Sequence, residues 1–200
     1  KVVKVGQFHQ LYHGTTIHGV QHTDPAVQLE PISYYGQEGP IGQMFDHLAL
    51  KPQRRRVAII GLGSGVIACY GRPGEKWTFF EIDPLVEKVA RNNNYFTYMQ
   101  KCPPIKNTVI GDARITIKNA PDDEFDMIFL DAFTSDAIPT HLLTREAIQL
   151  YLSKLREGGV IVFNISNRHI NLRPVLREVA DELDLAVLAA ADDETPYYHD

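Results

Sequence analysis

From Arg56 onward the chain alternates short, unbroken apolar runs with stretches whose apolar positions recur every three or four residues. The runs are Val57 to Ile60, "KWTFFEID", "NTVIGDA", "FDMIFLDA", "VIVFNIS" and "LAVLAAA". Apolar runs of this length, bounded by Gly, Asp and Pro, predict six buried strands. Between them lie Leu85, Val86, Val89 and Ala90; then Leu143, Ala147, Leu150 and Tyr151; then Leu172, Val175, Leu176, Val179, Ala180 and Leu183. Each set falls on one face of a helix. Asp83-Pro84 predicts a helix start, because Asp caps and Pro is tolerated in the first turn. Gly158-Gly159 predicts the end of the helix after the fourth strand. Strands apolar throughout, alternating with amphipathic helices, predict an α/β fold: a doubly wound, mostly parallel sheet covered on both faces.

Residues 1 to 35 differ in style. They are rich in Gly, His, Thr and Gln, with short extended runs such as "VVKV" and "TIHGVQ" and a turn in "YHGTTIHG". This predicts a small N-terminal β-hairpin layer, followed by a linking helix over "IGQMFDHLA". The expected domains are residues 1–50 for the layer and its helix, and 51–200 for the parallel sheet.

The 200 residues suit one domain with a small appendage. A net charge of −5 argues against a nucleic-acid binder that works by neutralising phosphates. Arg54 to Arg56 reads as a solvated turn rather than a basic patch. Cys69 and Cys102 make neither a disulfide framework nor a zinc site, and are expected to be reduced, buried thiols in a cytoplasmic setting. His9, His13, His18 and His22 lack a metal-ligand spacing, so no metal is expected. No apolar run is long enough to span a bilayer, and no secretory signal is visible. The chain opens on Lys1 rather than Met, which reads as a piece of something longer.

Ligands of doubly wound sheets bind outside the carboxyl ends of the strands. Gly61, Gly63 and Gly65 follow the first apolar strand, where glycine permits tight turning and close approach of a ligand. Glu81 ends the second strand about twenty residues on, placed to accept from ribose hydroxyls. The spacing G-x-G-x-G puts Val66 where a dinucleotide fingerprint wants its third glycine, and Gly71, Pro73 and Gly74 cut the next helix short. That disfavours NAD and favours a nucleoside cofactor without phosphates. S-adenosylmethionine and its decarboxylated form fit. Asp83 reads as a helix cap. Asp112, in "GDA" with Ala113, reads as a contact for an adenine amine, with a cap or turn as the alternative. Asp131, at the tip of the fourth strand, reads as an acid beside the reactive centre. Asp136 is either a loop-fixing acid or a substrate contact. His141, Asn164, Asn167, Arg168 and His169 share the cofactor side of the sheet, and either contact substrate or are solvated loop residues.

"GTTIHGVQ", "ISYY", "IIGLGSG", "FFEID", "VIGDAR" and "FLDAF" fall in the order found in spermidine synthases, the polyamine aminopropyltransferases, and the chain resembles that family from about Leu11 to the sixth strand. "DAFTSDAIPTHLLTREA" and "NISNRHINL" resemble a bacterial spermidine-synthase-like branch, some members of which are fused to a membrane transporter-like region. The resemblance implies the Rossmann-like fold of S-adenosylmethionine-dependent methyltransferases and transfer of an aminopropyl group from decarboxylated S-adenosylmethionine to a small amine such as putrescine. It implies that Gly61, Gly63, Ser64, Gly65, Glu81, Asp112 and Ala113 line the cofactor and that Gln21 and Tyr34 close over it from the β layer. Tyr34, Asp131 and Asp136 would meet the amine, and Asp131 would deprotonate it. A homodimer is implied as well.

Two departures bear on the substrate. The family's glycine loop carries an acid where this chain has Ser64, and its second loop acid falls where this chain has Thr134. A methyltransferase using S-adenosylmethionine and a non-catalytic nucleoside-binding domain are therefore alternatives.

Overall fold

The computed structural model describes residues 1–14, 16–49, 55–133, 138–166 and 171–191. The first three strands, β1 (Val2–Val5), β2 (Phe8–His13) and β3 (Thr16–His22), form an antiparallel sheet in the order β1-β2-β3. A 3-10 turn at Ser33–Tyr35 and helix α1 (Pro40–Ala49) lead inward. This is the hairpin layer and linking helix expected from the sequence.

Five parallel strands follow, in the order β6-β5-β4-β7-β8. They are β4 (Arg56–Ile60), β5 (Lys76–Glu81), β6 (Ile105–Ile110), β7 (Phe125–Leu130) and β8 (Leu155–Phe163). Helices α2 (Pro84–Ala90), α3 (Tyr98–Lys101), α4 (Ala113–Thr116), α5 (Arg145–Lys154) and α6 (Arg173–Glu182) lie between and after them. The sheet separates two apolar cores, because successive side chains of a strand point to opposite faces. Val57, Ile59, Trp77, Phe79, Met127 and Phe129 pack on one side with Phe45 and Tyr98. Ala58, Ile60, Phe80, Ile128 and Leu130 pack on the other with Leu142, Ala147 and Tyr151. At the far end of β4 and β5 from the strand tips, Arg55 donates to Glu75 at 2.8 Å, and Trp77 donates to the same carboxylate at 3.1 Å.

Asp83 caps α2 by accepting from Leu85 N at 2.8 Å. Asp83→Ala is expected to cost about 1 kcal/mol and to lower the midpoint of a thermal melt by about 2–4 °C.

Three expectations are corrected. "LAVLAAA" does not form a sixth strand: residues 185–191 carry no strand, and Leu188 is 97% exposed. Among the described residues no strand pairs with the outer edge of β8, and an alanine-rich run has little strand preference to hold it extended alone. Helix α5 ends at Lys154, four residues before Gly158, and β8 begins at Leu155. Gly158, at φ +73°, and Gly159 lie instead in a bulge where β8 advances from Leu155 to Val160 while β7 advances only from Phe125 to Met127. Cys69 and Cys102 are not separate thiols but a disulfide, with Cα atoms 4.7 Å apart. It ties the turn after the glycine loop to the end of α3, a pairing that depends on two distant segments meeting. Such a bond is uncommon in a reducing compartment.

Candidate active site

The backbone ladder continues one residue past each strand and so lines up the tips. Gly61 N donates to Phe80 O at 2.8 Å, and Asp131 N donates to Ile60 O at 2.8 Å. On the flanks, Gly111 N donates to Glu81 O and Asn164 N to Leu130 O, both at 2.9 Å. Glu81, Gly61, Asp131 and Asn164 therefore stand side by side on successive strands, with Asp112 one strand beyond Glu81. Neighbouring strands are about 4.8 Å apart, so this row is long enough to face an extended nucleoside.

The glycine loop turns here because all three glycines adopt positive φ: Gly61 +99°, Gly63 +53° and Gly65 +83°. At Gly61 a Cβ would come within 2.5 Å of Asp131 O, and at Gly63 within 2.5 Å of His18 O. The backbones of β7 and β3 thus press directly on the loop. A short 3-10 turn, Val66–Tyr70, follows in place of a long helix and ends at Gly71, as the sequence breakers predict. Ser64 is 1% exposed, its Oγ lies against Gly19 of β3, and that oxygen makes no hydrogen bond among the described residues.

Glu81 binds the loop in place. Its carboxylate accepts from Leu62 N at 3.0 Å and from Asp83 N at 2.9 Å. Burial raises its pKa, and these backbone donors oppose the rise. Asp112 is the N-cap of α4: Oδ1 accepts from Arg114 N at 2.8 Å, while Oδ2 lies 3.2 Å from His141 Nε2. The cap foreseen as the alternative is thus present, and Ala113 opens the helix behind it. Gln21 is 3% exposed and its amide is occupied by protein. It donates to Gln28 O and Thr97 Oγ1 and accepts from Thr97 N, each at 2.9 Å. Gln21 locks the β layer to the segment before α3.

Asp131 is the most perturbed acid of the row. Burial pushes its carboxyl up to about 7, against a hydrogen bond from Asn164 that pulls it down. Oδ1 accepts from Asn164 Nδ2 at 2.8 Å, and Oδ2 accepts from the Tyr35 hydroxyl. Tyr34, singled out from the sequence, stands one residue away. Its ring packs on that of Tyr35 with centroids 4.2 Å apart, and its hydroxyl donates to Tyr35 Oη at 3.3 Å. Tyr34 as a whole is 37% exposed, but burial at its hydroxyl, then the nearby Asp131, raises the phenol above its usual pKa. Tyr70 Oη donates to Tyr35 O and steadies the turn. Tyr35 and Asn164 are thus direct partners of Asp131 for which the apolar pattern holds no signal. Asp136, Thr134, Asn167, Arg168 and His169 lie outside the described residues, as does Arg54.

The tip residues fit an adenosyl sulfonium by their chemistry. Three carboxylates offer acceptors for hydroxyls and amines and complement a cation, whereas the glycine loop leads into a short 3-10 turn rather than the long helix whose N-terminus supports a pyrophosphate. A cavity of about 270 Å³ lies elsewhere, against Phe80, Val109, Ala120 and Phe125, and includes none of these residues.

The fold is Rossmann-like, of the type found in S-adenosylmethionine-dependent methyltransferases. A probable spermidine synthase from Corynebacterium glutamicum superposes with a TM-score of 0.70 at 17% identity, covering 92% of this chain and 66% of that one. Human methyltransferase-like protein 13, solved in complex with SAH, superposes with a TM-score of 0.50 at 19% identity, covering 69% and 65% of the two chains. Both likenesses are of fold. Sequence comparison adds two partial relatives. The chain is 37% identical to a polyamine aminopropyltransferase of Vibrio vulnificus over 124 residues, 58% of this chain and 40% of that protein. It is also 37% identical to an N-terminal histidine N-methyltransferase of Emericella nidulans over 111 residues, 53% of this chain and 19% of that protein. The chain thus spans less than half the length of these curated relatives. No family model matches it.

Proposed function

We propose that this chain is a spermidine synthase-like aminopropyltransferase core, moving an aminopropyl group from decarboxylated S-adenosylmethionine to a polyamine such as putrescine. Residues 1–50 would cover the site and 51–200 would hold the donor. The observation that carries the reading is Asp131: a half-buried carboxyl at the tip of the strand beside the glycine loop, held by Asn164 on one oxygen and Tyr35 on the other.

The bound donor supplies a carbon activated by its positive sulfur, which leaves with the bonding electron pair when a nitrogen attacks. What remains for the protein is positioning and one proton transfer. An alkylammonium has an ordinary pKa of about 10, and only its free amine is a nucleophile. Asp131 as carboxylate attracts the cation, aligns it and accepts its proton. Glu81, already holding Leu62 N and Asp83 N, has lone pairs left for ribose hydroxyls. On this reading Asp112 would take the adenine amine, Gly61, Gly63, Ser64, Gly65 and Ala113 would line the rest of the nucleoside, and Tyr34 and Asp136 would meet the amine. Gln21 acts by fixing the layer that closes over them. A homodimer working in the cytoplasm is part of the same proposal. Among the described residues no helix is long and apolar enough to cross a membrane.

A second reading, S-adenosylmethionine-dependent methyl transfer, is favoured by Ser64. A neutral side chain in the glycine loop repels the donor's carboxylate less than an acid does, and one curated relative is named as an N-methyltransferase. The two readings differ in product. Incubation with decarboxylated S-adenosylmethionine and putrescine is expected to release methylthioadenosine, whereas methyl transfer from S-adenosylmethionine releases S-adenosylhomocysteine. Chromatography of the nucleoside product separates them. Binding of both donors with neither product would support the non-catalytic reading.

A further inference from the structure

We infer that Asn164, oriented by Ser166, is the positioning residue that fixes the Asp131 carboxyl beside the glycine loop for proton transfer. The inference rests on the transferase reading above for its chemistry, but on contacts of its own for its geometry.

Asn164 is the first residue past β8, and its backbone is pinned to β7 by the bond from Asn164 N to Leu130 O. Its side chain spans to the neighbouring tip, where Nδ2 donates to Asp131 Oδ1 at 2.8 Å. An amide can turn either end to a neighbour, so something must choose the end. Ser166 does so twice: its N donates to Asn164 Oδ1 at 3.2 Å and its Oγ at 2.6 Å. With Oδ1 held by two donors, the NH₂ group is left facing Asp131. A carboxyl otherwise swings freely about its last torsion. Here Asn164 on one oxygen and Tyr35 on the other fix its plane.

The contact has an electrostatic consequence. A donor N–H favours the charged carboxylate, and so counteracts the burial that favours the neutral acid. The titratable groups facing Asp131 among the described residues are the phenols of Tyr34 and Tyr35, both from the 3-10 turn. From the end of β4 it meets the Gly61 backbone, and from the described residues past β8 the Asn164 amide. Asn164 is then the group that keeps a base available near neutral pH.

The test is the titration of Asp131 followed by ¹³C NMR of labelled aspartate, with its signal assigned by loss in Asp131→Asn. In Asn164→Leu the midpoint is expected to rise by about one pH unit, the worth of one hydrogen bond to a carboxylate. In Ser166→Ala, where Ser166 N still orients the amide, it should rise by less than half as much. The alkaline-rising limb of the rate profile should move with the midpoint, while the KM for the donor stays put. Asn164→Ala serves the same purpose if the leucine variant does not fold. An unchanged midpoint in the variant that folds overturns the inference. Wild-type protein that titrates as described but transfers nothing to any amine would refute the transferase reading, and the NMR result would still decide the role of Asn164.

Discussion

Replacing Asp131 with Asn is expected to slow transfer to an amine by about 10²–10⁴-fold, with the fold retained. Asn has the same shape and keeps an oxygen for the Tyr35 hydroxyl. What it lacks is a lone pair basic enough to take a proton, and the negative charge that attracts an ammonium. The wild-type rate should itself depend on pH. With a carboxyl pushed up to about 7 by burial, the base form is lost below neutrality and the rate should fall there. The same group should leave a mark on stability. Its folded-state pKa lies above the ordinary carboxyl value of about 3.9, so the folded chain prefers the protonated acid. Stability from this group is therefore greatest below the ordinary value, declines as pH rises towards 7 and is level above it. Initial rates between pH 6 and 9, with thermal melts at pH 5 and 8, test both statements. An Asp131→Asn protein as active as wild type would remove the central assumption about the site.

Gly61→Ala is expected to lower unfolding free energy by about 2–4 kcal/mol, combining a left-handed backbone penalty with overpacking. At φ +99° a side chain is strained even in open space, and here the added Cβ would lie 2.5 Å from Asp131 O and 2.9 Å from Asp131 C. Neither atom belongs to a side chain that can swing aside. The β7 tip must shift, and Asp131 with it, so the rate should fall together with stability. Gly14→Ala is the control: φ is +60°, but nothing among the described residues lies within 4 Å of the added atom. It should cost only the backbone term, about 1–2 kcal/mol. Urea unfolding of the two variants side by side distinguishes strain from collision. Equal costs would mean that the approach of β7 to the loop is looser than the structure has it.

The elements that the sequence makes legible are those whose evidence is local. Val57–Ile60 and Met127–Leu130 are apolar without interruption because both faces of a central strand are covered. Asp83-Pro84 marks a helix start that depends on nothing beyond Leu85. Gly158-Gly159 misleads because glycine serves a strand bulge as readily as a helix end, and only the register against β7 decides between them. "LAVLAAA" misleads because a strand is defined by a neighbour, and none is present among the described residues. The acids at the strand tips could be picked out one by one, since each ends an apolar run. What meets them could not. Tyr35 stands beside Tyr34 in sequence, and only the turn at Ser33–Tyr35 determines which hydroxyl reaches Asp131. Asn164 comes to Asp131 only because β8 pairs with β7. The Cys69–Cys102 link is likewise a product of packing between segments that share no pattern.

The strand order carries a last consequence for how the protein reaches its working state. The chain builds β4, β5 and β6 outward from the centre, then returns to lay β7 on the other side of β4. That return joins positions far apart: Arg56 N bonds to the Asp126 carboxylate, 70 residues on. Closing so long a loop is entropically slower than pairing β4 with β5. The half that would cradle a nucleoside can therefore assemble before the half that carries Asp131, and, on the proposed function, nucleoside capture during refolding should precede recovery of turnover.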